Sequence, residues 1–150
     1  MFIKLRIPVI FLATLLVMVS SRAVLADLAI IVHPDTDTGN VDSYNIRKLF
    51  LGERRAFPNG QPAIPLNHAA GSPDRKAFFD LVLNMQESAH KRHWKRKIAV
   101  GIANTPAELS SYSAVLESVA TTPGSISYID ASVVDDRVKV LLTLRDLDAS

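Results

Sequence analysis

A chain of 150 residues with 17 basic and 15 acidic side chains has room for one domain of ordinary size and little charge to spare. It contains no cysteine, so neither a disulfide framework nor a lipid-anchored cysteine is available, and packing alone must hold the fold.

The chain opens with Lys4 and Arg6, followed by the uncharged run Ile7 to Val19 and the small residues Ser20 and Ser21. That pattern reads as a secretory signal peptide: the apolar core falls short of a bilayer span, and Val24-Leu25-Ala26 suits a cleavage site. The alternative is an uncleaved anchor with Arg22 as its flanking charge. The expected organisation is residues 1–26 as signal peptide and residues 27–150 as the exported domain, placed in the periplasm. Residues 27–150 keep 14 basic and 15 acidic side chains, a net charge of −1. A near-neutral domain lacks the basic surface that nucleic-acid binding requires.

Leu28 to Val32 is continuously apolar, as expected of a central strand covered on both faces. Polar residues His33 to Asn40 follow. Asp35-x-Asp37-x-Gly39 resembles the opening of a calcium loop, but its glycine comes one place early and Ile46 stands where a bidentate glutamate is needed, so it reads as a turn. Asp42-Ser43 caps a predicted helix with Ile46, Leu49 and Phe50 on its apolar face, ended by Gly52. Phe57-Pro58-Asn59-Gly60 is turn chemistry, and Ala63 to Leu66 is a short strand in which Pro65 demands an edge or terminal position.

Ser72-Pro73-Asp74 reads as N-cap, first helical residue and dipole-complementing acid, with Phe78, Leu81, Val82 and Met85 on one stripe. A helix from Glu87 to Ile98 carries His90-Lys91-Arg92-His93-Trp94-Lys95-Arg96-Lys97; it reads as a solvated helix anchored by Trp94 and Ile98, although so basic a face also suits an acidic partner or headgroups. His90 and His93 have spacing for a shared metal, but the neighbouring cations oppose one. Thr105-Pro106-Ala107-Glu108 has the form of a capping box opening a helix with Leu109, Tyr112, Leu116 and Val119 inward. Pro123-Gly124 stops it, and Ile126–Ile129 and Val138–Leu142 are strands joined through Asp135-Asp136-Arg137. Strands interleaved with helices give an α/β fold. No cysteine nucleophile, no Gly-x-Ser-x-Gly elbow and no carboxylate pair placed for acid–base work is present, so no enzyme is expected and no cofactor is called for.

Leu49-Phe50-Leu51-Gly52, Phe57-Pro58-Asn59-Gly60, Gly71-Ser72-x-x-Arg75-x-x-Phe78, Trp94-x-Arg96 with Gly101, and Thr122-Pro123-Gly124-Ser125-Ile126-Ser127-Tyr128 together resemble successive signatures of phosphate-type ABC-transporter substrate-binding proteins. The resemblance implies a single lobe of periplasmic-binding-protein type, a mixed sheet flanked by helices, where the full-length family closes two lobes over an anion. The family's phosphate-contacting segment, Arg-Ser-Asp-Gly-Ser-Gly-Thr, matches at Gly71 and Ser72; His68, Ala70, Pro73 and Asp74 replace its Arg, Asp, Gly and Thr. Ser125 and Ser127 replace the family's usual Ala and Gly.

The candidate ligand-binding residues are therefore His68, Gly71, Ser72 and Arg75: amides and a hydroxyl at a helix start, with a guanidinium one turn in. The alternative is a purely structural cap with Arg75 in solvent. The implied function is an exported solute-binding domain for a small oxyanion such as phosphate, working with an ABC permease, an envelope sensor or a second copy of the chain. The rival is a single-lobe interaction or sensor-adaptor module in the envelope that binds no solute.

Overall fold

The computed structural model describes residues 27–102 and 104–145; the predicted signal peptide lies outside the described residues. The strands are β1 (Leu28–Val32), β2 (Ile64–His68), β3 (Ala107–Leu109), β4 (Ser125–Asp130) and β5 (Lys139–Leu144). The helices are α1 (Ser43–Phe50), α2 (Pro73–Phe78), α3 (Glu87–Ala99) and α4 (Tyr112–Thr121). A π-helical turn, Phe79–Leu83, prolongs α2, and Ala131–Val133 forms a 3-10 turn after β4.

The five strands form one sheet in the order β3-β2-β4-β1-β5. β2 runs parallel to β3 and β4, whereas β1 is antiparallel to both of its neighbours, so the sheet is mixed as expected. All five residues of β1 are buried because both faces are covered. Leu28, Ile30 and Val32 pack with Ile46, Phe50, Phe78 and Leu83 of the α1–α2 layer, while Ala29 and Ile31 pack with Val115 and Val119 of α4. Burying each such Leu, Ile or Val side chain contributes roughly 1.5–3 kcal/mol before chain entropy is counted.

Local chemistry sets the helix starts. Asp42 Oδ1 accepts from the Asn45 amide at 2.8 Å, and Ser72 Oγ accepts from the Arg75 amide, with Pro73 in the first turn. Pro65 is tolerated because it lies at the start of β2: it pairs with Ile126 on one side, and β3 joins on the other side only from Leu66 onward. Gly39 turns the Asp35 to Gly39 segment with its amide donating to Asp37 Oδ1, in keeping with a turn.

Three expectations are overturned. Thr105 to Glu108 does not open a helix. Ala107–Leu109 pairs with Leu66–His68 as β3, Glu108 bonds Arg75, and the helix begins at Tyr112 with Ser111 as its cap. Tyr112 is accordingly 40% exposed, and the inward stripe is Val115, Leu116 and Val119. On α3 the buried pair is His90 and Trp94, one turn earlier than predicted, and Ile98 projects into solvent. Finally, the helix after Ser72 widens at Phe79, which brings Phe79 and Leu83 into the core beside Phe78 and Val82, and Asn84 ends it in the left-handed conformation.

Candidate functional site

The parallel strands β2 and β3 point their carboxyl ends to the same edge of the sheet, at His68 and Leu109. From there the chain leaves in two directions. Residues Ala69 to Ser72 lead into α2, which packs with the Phe50–Tyr128 layer, and Ser110-Ser111 lead into α4, which packs on the opposite face with Ile31 and Ile129. Where neighbouring connections part to opposite faces, a crevice opens at the carboxyl edge, the usual ligand position of α/β sheets.

Gly71 and Ser72 stand at this edge. Gly71 has a φ of +86° that favours glycine, and no atom lies within 4 Å of where a side chain would begin, so its backbone faces open space. Ser72 is half-buried; its Oγ is the acceptor for the Arg75 amide, and its own amide donates to the Ala69 carbonyl at 3.2 Å. A half-open cavity of about 640 Å³ lies alongside, bordered by Gly71, Ser72, Arg75, Phe79 and Glu87.

His68 and Arg75 are placed differently. His68 is buried beneath the entrance, its Nε2–H donating to the Tyr128 carbonyl at 2.6 Å and its ring stacked on Tyr128 with centroids 4.8 Å apart. Burial lowers its pKa, against the opposing pull of that hydrogen bond. Tyr128 in turn stacks on Phe78 and donates its hydroxyl to Asn67, while burial pushes its phenol far above the ordinary range. The entrance to α2 therefore rests on a packed column of His68, Tyr128 and Phe78.

Arg75 is only 4% exposed, rather than in solvent as the structural-cap alternative assumed. Its Nε and Nη2 donate to the two carboxylate oxygens of Glu87, and Nη1 donates to Glu108 Oε1 at 2.7 Å and to the His68 carbonyl at 2.6 Å. Burial opposes its charge, but the two carboxylates outweigh that and raise its pKa. Its positive charge is thus spent internally, tying α2, α3, β2 and β3 together. The Gly71 position is open at the entrance, whereas the guanidinium behind it is held by two carboxylates.

Asp74 and Tyr112 were not singled out as site residues from the sequence. Asp74 is buried in the first turn of α2, accepting from the Asp130 amide at 2.8 Å and from the Tyr112 hydroxyl at 3.3 Å. The second contact spans the crevice between the two helix starts. Burial together with the Asp74 charge raises the Tyr112 pKa and keeps that proton in place. Neither partner announces the other in sequence, being 38 residues apart.

No metal cluster is formed among the described residues. His90 accepts from Trp94 Nε1 at 3.1 Å, and His93 Nε2 bonds the Leu51 carbonyl at 2.8 Å. The two imidazoles that helical spacing brought under suspicion are occupied in packing. Every buried side-chain N or O among the described residues has a hydrogen-bond partner, including Ser127, which donates to the Leu66 carbonyl inside the sheet.

The fold is that of periplasmic binding proteins. The chain is similar to a protein described as a phosphate ABC transporter substrate-binding protein from Clostridium perfringens, solved with bound phosphate, at a TM-score of 0.61 and 19% identity over 78% of this chain and 45% of that one. It is similar to an ABC-type phosphate transport receptor from Vibrio cholerae, at 0.61 and 20% identity over 78% and 46%, and to PstS from Borrelia burgdorferi, at 0.61 and 19% over 77% and 46%. The chain spans less than half the length of these proteins and corresponds to one lobe of their architecture. No family model matches the sequence.

Proposed function

We propose that this chain is an exported solute-binding domain for a small oxyanion, with phosphate the first candidate, that meets its ligand at the Gly71–Ser72 entrance to α2. The observation carrying this reading is the position of that entrance, at the sheet's carboxyl edge where β2 and β3 send their helices to opposite faces. The first amides of a helix have no acceptor within it. Here Pro73 has no N–H and the Arg75 amide goes to Ser72 Oγ, which leaves the Asp74 amide and the Ser72 hydroxyl proton as the donors next to the open Gly71 backbone. His68 and Arg75 shape the entrance from beneath. Binding and release are the whole task, with no catalytic step. The opposite wall of the cleft comes from a second copy or from a membrane partner such as an ABC permease, and residues 1–26 route the domain to the periplasm before cleavage after Ala26.

Calorimetry of the processed protein with phosphate, sulfate and small carboxylates tests the proposal. Heat on phosphate addition that is lost in Ser72→Ala supports it; silence at about 1 mM ligand, where even ~4 kcal/mol of binding free energy would register, ends it.

One observation favours a second reading, a docking or sensor-adaptor module that binds no solute. Glu87 and Glu108 already neutralise Arg75, and Asp74 adds a carboxylate at the entrance, so the crevice holds no surplus positive charge to draw in an anion. Stable capture of an envelope protein by the purified domain, unaltered by phosphate, would favour this reading.

A further inference from the structure

The charge of this domain is segregated. Helix α3 carries Lys91, Arg92, Lys95, Arg96 and Lys97, five of the 14 basic residues of 27–150, against the single acid Glu87. Glu87 is engaged by Arg75, and Lys97 donates to the Gly52 carbonyl at 3.3 Å. The other four cations are exposed and have no ion-pair or hydrogen-bond partner among the described residues. They stand in two rows at four-residue spacing, Lys91 with Lys95 and Arg92 with Arg96, an arrangement whose mutual repulsion weakens a helix.

The inward side of α3 is already spoken for by His90, which lies against Phe79 with ring centroids 4.6 Å apart, and by Trp94, which covers Gly52. Directly beyond it the chain exposes three large aliphatics: Ile98 at 51%, Val100 at 68% and Ile102 at 42%. Cations that attract phosphate headgroups, bordered by aliphatics that can enter the headgroup boundary, are the two ingredients of interfacial membrane binding.

We infer that the exposed side of α3 and the turn that follows it, formed by Lys91, Arg92, Lys95 and Arg96 with Ile98 and Val100, docks the domain on a bilayer surface bearing anionic phospholipids. The inference is independent of whether the Ser72 entrance takes a solute. Charge complementarity decides the occupant: the remainder of 27–150 carries nine basic and 14 acidic residues, so this helix is where the domain can approach an anionic surface. Each cation close to such a surface strengthens partition about fivefold at low salt.

Vesicle co-sedimentation tests this with the protein as recovered from the expressing cell, so that any retained part of residues 1–26 contributes equally in every arm. Vesicles of phosphatidylcholine are compared with vesicles that also contain phosphatidylglycerol. The expected result is a preference of about tenfold or more for the anionic vesicles, erased between about 0.01 and 1 M salt as the screening length shrinks from ~30 to ~3 Å. The variant Lys91→Gln/Arg92→Gln/Lys95→Gln/Arg96→Gln should lose the preference. Ile98→Ser/Val100→Ser should weaken binding while keeping its salt dependence. All six side chains are exposed, and circular dichroism checks that the variants fold; the lipid and salt comparison on the unaltered protein needs no variant. Equal partition onto both vesicle types, or an unchanged preference in the glutamine variant, overturns the inference. Retention on immobilised polyglutamate without any vesicle preference also overturns it, and assigns the face to an acidic protein.

Discussion

The hydroxyl of Tyr112, the first residue of α4, donates to Asp74 Oδ1 at 3.3 Å, linking two helices that lie on opposite faces of the sheet. The other oxygen of Asp74 accepts from the Asp130 amide, so one carboxylate closes the end of the crevice against β4 and α4 together. Removing the hydroxyl with Tyr112→Phe should cost about 0.5–1.5 kcal/mol, measured by urea denaturation. Asp74→Asn should destabilise by a similar amount and, because it takes a negative charge away from the entrance, raise phosphate affinity in calorimetry if the solute reading holds.

Arg75 is a brace between β2, β3, α2 and α3, and its removal leaves Glu87, Glu108 and the His68 carbonyl without their shared donor. Arg75→Ala should cost roughly 2–4 kcal/mol, the lower end reflecting that both glutamates are half-exposed and can turn to water. Lysine restores the charge without the planar fork and should recover only part of the loss in the same denaturation experiment.

Gly52 has a φ of +66°, and a Cβ there would lie 2.6 Å from Cη2 of the buried Trp94. Gly52→Ala therefore combines an unfavourable backbone conformation with a clash against a ring that packing holds in place, and should cost about 2–4 kcal/mol. Trp94→Phe shortens that ring. The double variant should consequently be more stable than the sum of the two single losses predicts, a departure that a double-mutant cycle of thermal melts would detect.

Burial, with help from the Arg75 charge, depresses the His90 pKa from 6.5 to about 4. The imidazole accepts from Trp94 at Nε2, so its neutral form carries the proton at Nδ1, and protonating Nε2 breaks that contact. Between pH 6.5 and 4 the unfolded chain takes up a proton that the folded chain refuses. Stability is accordingly intact above pH 6.5 and falls as pH drops through this window, by up to roughly 3 kcal/mol. His68 is displaced in the same direction and adds to the slope. His90→Gln, which keeps an acceptor but does not titrate, should flatten the curve; an unchanged slope would show that other groups govern it.

Features decided by near neighbours were legible from the sequence. The apolar run Leu28–Val32 has the pattern of a strand covered on both sides, and Asp42 and Ser72 cap helices through bonds three residues long. Thr105 to Glu108 misled because its local capping pattern competes with a distant partner: pairing with Leu66–His68 satisfies the backbone as a strand, and Glu108 finds Arg75 33 residues away. On α3 the spacing of Trp94 and Ile98 suggested the buried stripe, but the same spacing relates His90 to Trp94, and only the position of Phe79 and Gly52 decides between them. At the entrance, Ser72 could be placed from cap chemistry, and Gly71 only through the family resemblance. The commitment of Arg75 and the Tyr112–Asp74 link could not, since each depends on segments that meet only once the sheet is assembled.

The strand that begins the described domain lies beside the one that ends it, with Leu28 opposite Leu144. Without β5, β1 would show one whole edge of N–H and C=O groups to water, so the sheet cannot be completed until Lys139–Leu144 is free to join. Such distant pairing slows folding, because loop closure must precede the contacts that reward it.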